Sequence, residues 1–155
     1  MVGHAERRRY FGETDVDVAR KTAAVVAHGM VPLICIGEKT KGDISMCIDE
    51  VAVQVNAVLD KLPLSAEILL AYEPVWAIGA AEAAQADHVL AVVHGIRSLE
   101  CVKSREDGKT RILYGGSAGP GIFEGLKDQV DGLFLGRFAH DPNMFYKTML
   151  EISEA

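Results

Sequence analysis

The chain has 155 residues, 49% of them apolar and 25% charged, which is enough for one soluble domain with a core of its own. A net charge of −6, with no Lys/Arg cluster in either half, excludes the electrostatic footprint of a nucleic-acid backbone or an anionic membrane as partner. Apolar runs break within about ten residues, short of the roughly 20 that cross a bilayer, and the N-terminus lacks a basic-then-apolar signal, so a cytoplasmic location is expected.

Thr14, with Asp17 three residues on, predicts a capped helix start, and Gly29 a left-handed stop. Residues 31–36 are a short, nearly continuous apolar run, the pattern of a strand buried on both faces. Ile44, Ile48, Val51, Val55, Val58 and Leu62 recur in steps of three and four, which predicts a helix with one apolar stripe. Residues 68–72, 111–114 and 133–135 read as three more buried strands. Cys35, Cys47 and Cys101 are odd in number and far apart, which predicts free thiols with no disulfide framework, no metal cluster and no redox role.

Strands alternating with helices imply an α/β fold with a parallel sheet covered by helices. Periodicity leaves two arrangements open, a doubly wound sheet and a closed barrel. The chemically informative residues fall at the C-terminal ends of successive strands: Glu38, Glu73, the Gly115-Gly116-Ser117 turn and Gly136. A barrel brings several such ends to one mouth, whereas an open sheet concentrates them at a switch point, so four separate ends favour the barrel.

At residues 71–79 the sequence reads AYEPVWAIG, a strand ending in a carboxylate and followed by a proline, a tryptophan and a glycine. Around it, in order, stand GHAERRRYFGET from Gly3, ICIGE from Ile34 and YGGS from Tyr114. Together these segments resemble the triose-phosphate isomerase family along essentially the whole chain. The resemblance implies a (β/α)₈ TIM barrel, here a partial one running from a remnant of strand four through helix eight. It also implies a cofactor-free isomerase that interconverts aldose and ketose phosphates, glyceraldehyde 3-phosphate and dihydroxyacetone phosphate in the first instance.

Such chemistry needs a base that moves a proton between adjacent carbons through an enediol, and Glu73 beneath an apolar loop suits it. Without the PVWAIG flank, a rim glutamate paired with an arginine would be the plainer reading. By resemblance His4 is the electrophile that polarises the substrate carbonyl, with Glu6 and Arg7 supporting it, although both are equally ordinary ion-pair partners. Gly116 and Ser117, in a glycine-rich turn, offer backbone donors to a phosphate. Gly79 in the closing loop and Gly136 after the last strand join them by resemblance.

Several positions depart from the family pattern. Ala5 stands where many members have serine. Arg137 follows Gly136 where a second glycine is usual, which places a guanidinium beside the phosphate or leaves it pointing to solvent. Ala80, Ala81, Glu82 and Ala83 replace a TGKTA loop tip. These changes resemble a side branch acting on tetrulose phosphates such as erythrulose phosphate, the alternative substrate class. A complete barrel runs to about 250 residues, so the N-terminal half, with its asparagine and catalytic lysine, is expected to be absent here. The family's homodimer is therefore not assumed for this chain, and a catalytically inactive half-barrel is a further alternative.

Overall fold

In the computed structural model, which describes residues 1–80 and 83–155, four parallel strands lie side by side in chain order. They are β1 (Leu33–Ile36), β2 (Ile68–Tyr72), β3 (Thr110–Tyr114) and β4 (Gly132–Leu133). Leu33 pairs with Leu69 and Ile36 with Tyr72; Ile68 pairs with Thr110 and Tyr72 with Tyr114. A doubly wound sheet reverses its strand order at a switch point, and these strands show no reversal. Consecutive parallel neighbours are the wall of a barrel, so the chain is an α/β fold forming part of a (β/α)₈ barrel. Residues 81 and 82, at the altered loop tip, lie outside the described residues.

The helices are α1 (Ala5–Phe11), α2 (Asp15–Ala27), α3 (Ile44–Leu59), α4 (Ala86–Ser98), α5 (Glu100–Lys103) and α6 (Pro142–Glu154). Thr14 caps α2 in a full capping box with Asp17, and Gly29, at φ 70°, follows its end. The stripe of α3 buries Val51, Val55 and Val58 against the sheet, where α4 adds Val89, Val92, Val93 and Ile96. Ile34, Leu70, Ile112 and Tyr72 from the strands belong to the same core. Leu62, predicted inside α3, lies past its end but stays buried in the turn before Pro63.

Strand boundaries differ from the sequence expectation at the edges. β1 begins at Leu33 because Pro32 has no N–H to give the ladder; its carbonyl accepts from Leu69 instead, at 3.0 Å. β4 spans two residues rather than 133–135, since it pairs only with β3 and has no further strand beside it among the described residues. At the other edge Val2 forms a parallel bridge to Ile34. Its N–H donates to Leu33 O at 2.8 Å and its carbonyl accepts from Cys35 N at 3.0 Å, so His4 emerges from a strand remnant, as expected from the sequence.

Two glycines let the strand ends close in. A Cβ on Gly37 would lie 1.9 Å from the Glu73 carbonyl oxygen, and one on Gly115 would lie 2.7 Å from Glu73 Cγ. Glu73 is therefore gripped between the ends of β1 and β3. Gln54 of α3 secures the first of these turns, donating to Gly37 O at 2.9 Å and accepting from Gly37 N at 3.0 Å.

Candidate active site

Because all the strands run the same way, their C-terminal ends meet at one face, and a cleft of about 350 Å³ opens there. His4, Glu6, Glu73, Gly79, Gly116 and Ser117 line it, together with Gly136 and Arg137. Thus eight of the nine residues singled out from the sequence surround one cavity. Arg7 is not among them. Its Nε lies 3.7 Å from Glu13 Oε1, and its guanidinium stacks over the Phe11 ring at 4.6 Å.

Glu73 is 8% exposed and closes the cleft floor. Burial pushes its carboxyl above the ordinary carboxylate range; the charge of His4 and a hydrogen bond from the Cys35 thiol partly offset this, and the Glu6 charge adds to it. One of its oxygens, Oε2, has no hydrogen-bond partner among the described residues and lies 3.6 Å from His4 Nε2. A buried carboxylate with an unpaired oxygen on a cavity wall is ready to take a proton from a bound molecule.

His4 owes its orientation to the start of α1, where it is the N-cap. Its Nδ1 accepts from Glu6 N at 3.4 Å. In the neutral ring the proton then sits on Nε2, the nitrogen that faces Glu73 and the cleft. The segment before it is tied down by Glu13, which accepts from Gly3 N at 3.1 Å and from Lys21 Nζ. Arg8 adds a bond from Nε to Gly3 O at 2.8 Å. The sequence assigns Glu13 and Arg8 no role, and Cys35 only that of a free thiol, because each acts through a tertiary contact that leaves no periodic trace.

The opposite wall suits an anion. Gly116 and Gly79 adopt left-handed backbone at φ 85° and 72°, and Ser117 does so at φ 65° without being a glycine. Strain of this kind in a non-glycine residue is characteristic of ligand-binding turns. The Ser117 hydroxyl donates to Ala77 O at 3.1 Å, so the side chain ties the β3 turn to the turn after β2. Arg137, just past β4, lines both this cleft and an adjoining open space of about 910 Å³ beside Gly79, Ser117 and Phe138.

Behind the cleft Glu38 is wholly buried, and its Oε1 accepts from Trp76 Nε1 at 2.8 Å and Tyr72 Oη at 3.3 Å. His88 Nε2 stands 2.9 Å from the same oxygen. Glu38, Cys47 and His88 bring atoms of metal-ligand type within 4.8 Å of one another. The 2.9 Å contact is a hydrogen-bonding distance, and none of the three lines the cleft. The sequence reading marked Glu38 only as a strand-end residue and passed over His88.

Residues 1–152 match the triosephosphate isomerase family. The chain is 47% identical over 154 residues to the L-erythrulose-1-phosphate isomerase of Pectobacterium atrosepticum, covering 97% of this chain and 59% of that protein. The enzyme of the same name from Rhizobium meliloti is 40% identical over 166 residues, covering 99% and 62%. The triosephosphate isomerase of Lactobacillus gasseri is 38% identical over 154 residues, covering 94% and 61%. The chain spans about three fifths of the length of these relatives. A sheet of consecutive parallel strands, a cleft at their C-terminal ends and a family match across nearly every residue place this chain in the triosephosphate isomerase family, a family of isomerases.

Proposed function

We propose that the protein isomerises a sugar phosphate by proton transfer through an enediol, with Glu73 as the base and His4 as the electrophile. The observation that carries this reading is the pairing across the cleft: a buried carboxylate oxygen with no partner, 3.6 Å from an imidazole nitrogen whose tautomer is set by the Glu6 amide. Glu73 removes a proton from the carbon beside the carbonyl. The His4 Nε2 proton passes to the carbonyl oxygen as charge develops there, giving the enediol. Nε2 then takes the proton of the adjacent hydroxyl, whose oxygen becomes the new carbonyl, and the proton held by Glu73 is delivered to the former carbonyl carbon. Gly79, Gly116, Ser117 and Gly136 cradle the phosphate at the far wall, with Glu6 flanking His4. The reaction calls on no cofactor or metal.

For the substrate, we favour a tetrulose phosphate of the erythrulose type. Arg137 supports this choice, since it adds a guanidinium and an adjoining open space at the phosphate end, as do two relatives of 40% and 47% identity named for L-erythrulose 1-phosphate. Triose phosphates are the second reading, supported by the relative of 38% identity named triosephosphate isomerase. We further propose that the active unit is a whole barrel in which additional strands, from outside this chain, cover the edge of β4 and the exposed Phe145, Met149 and Ile152 of α6. A cytoplasmic setting belongs to the same proposal, a homodimer is proposed only for the completed barrel, and a place in central sugar metabolism goes with the triose reading.

The test is turnover of L-erythrulose 1-phosphate and glyceraldehyde 3-phosphate by the barrel completed with a relative's N-terminal strands. The tetrulose should be preferred, and Arg137→Gly should move the preference toward the triose by roughly tenfold, the effect of losing one charge-assisted contact. An unchanged ratio would make Arg137 a bystander, and absence of both activities in a folded barrel would overturn the isomerase reading.

A further inference from the structure

Glu38 receives donors from three different elements on one oxygen: Tyr72 from β2, Trp76 from the turn after β2, and His88 from the first turn of α4. The Trp76 and His88 rings also meet edge to face, with centroids 5.2 Å apart and planes at 86°, while Lys41 Nζ lies 5.3 Å from the centroid of the Trp76 ring. The backbone repeats the attachment, since Val75 N donates to Glu38 O at 2.9 Å. The other Glu38 oxygen has no partner among the described residues. A carboxylate with one crowded and one empty oxygen turns about its last torsion unless donors from opposed directions hold it.

We propose that His88 is a positioning residue: through Glu38 it fixes the Trp76 indole, and with it the turn that sets Gly79 on the wall of the cleft. Without His88, the longer Tyr72 bond of 3.3 Å is the sole side-chain bond left opposing Trp76 on that oxygen. Glu38 then swings, its free oxygen competes for the indole, and the turn loses its fixed seat. One buried carboxylate thus ties the start of the segment after β2, at Trp76, to the helix that follows it, at His88. The bearing of this clamp on turnover rests on the isomerase reading; the clamp itself does not.

Trp76 is the single tryptophan of the chain, so its indole N–H gives one resonance that reports the clamp directly. In the unmodified chain, nitrogen NMR of the His88 imidazole should find the proton on Nε2; a proton on Nδ1 with bare Nε2 would overturn the proposal, because nothing could then be donated to Glu38. His88→Leu should shift the indole resonance and speed its hydrogen exchange by roughly tenfold, and His88→Gln, which keeps a donor, should restore both. A folded His88→Leu chain with an unaltered indole would reduce His88 to a packing residue. If that variant does not fold, the folded Gln variant decides: an indole matching the unmodified chain supports the clamp, and a displaced one overturns it. Absence of isomerase activity from the completed parent barrel, with its indole responding to the His88 substitutions as expected, would count against the isomerase reading and leave the clamp standing.

Discussion

Two carboxylates end neighbouring strands of this sheet and meet opposite fates. Glu38, just past β1, is sealed from solvent, and one of its oxygens is saturated by tyrosine, tryptophan and histidine. Glu73, directly after β2, is nearly as buried, but it faces a cleft and has an oxygen without a hydrogen-bond partner among the described residues. The same functional group, at nearly the same depth, is in one case a structural pivot and in the other a reactive group. Each has one oxygen without a partner among the described residues; what separates them is that the Glu73 oxygen belongs to a side chain lining the cleft, whereas Glu38 lies outside it with three donors on its other oxygen.

Glu73→Gln breaks the comparison on the reactive side and has the largest expected effect. Exchange of substrate protons with solvent by the completed barrel should fall by roughly 10²–10⁴-fold, the usual worth of a general base. Near-normal exchange would remove Glu73 from the mechanism. On the structural side Glu38→Leu should leave Glu73 and His4 in place, lower turnover only through the lost seat of Trp76, and strand the donors of Tyr72, His88 and the part-buried Trp76, at about 1–3 kcal/mol for each buried one. Urea unfolding measures that loss, and a midpoint unmoved from the parent would mean that the pivot is dispensable.

Gly115→Ala sharpens the comparison, because its Cβ would sit 2.7 Å from Glu73 Cγ and 3.1 Å from Phe134 Cδ1, and so presses on the Glu73 carboxylate and not on Glu38. We expect a stability loss of about 1–3 kcal/mol from overpacking, together with impaired turnover as Glu73 is displaced. Unfolding and kinetics of this one variant should therefore change together, whereas Glu38→Leu changes mainly the first.

The smallest effect is one of pH. Folding raises the Glu73 carboxyl above its ordinary range, so the folded chain binds that proton more tightly than the unfolded chain does. Its contribution to stability is complete below the ordinary carboxylate range and is lost as pH rises through the raised value. Thermal unfolding of the parent should consequently lose ground to Glu73→Gln across that window, and parallel profiles would contradict it. Activity should rise over the same interval, since only the ionised carboxylate serves as the base.

Much of this was written locally in the chain. The α2 capping box, the α3 stripe and the apolar run of β2 are short-range patterns, and the structure keeps each of them. The cleft was legible through four motifs that end on strands, and parallel order carries those ends to one face whatever lies between them. The length of β4 was not legible, because an edge strand extends only as far as its single neighbour allows. Nor was the partnership of Glu38 with His88, 50 residues apart, in which a polar side chain sits on the buried face of α4. Periodicity marks such a face as apolar and cannot announce a histidine that is buried because a distant carboxylate accepts from it.

The two halves of the proposed catalytic pair also differ in how the backbone holds them. Glu73 N–H bonds to Ile36 O at 2.8 Å, and the next strand answers with Gly115 N–H to Tyr72 O at 2.8 Å, so the base is fastened between central strands. His4 hangs from a bridge of one residue, Val2, with Glu13 and Arg8 as side-chain moorings. Glu73 thus owes its place to ladder bonds on both sides, whereas His4 leans on side chains, so substitutions at Glu13 or Arg8 reach one member of the proposed pair and not the other.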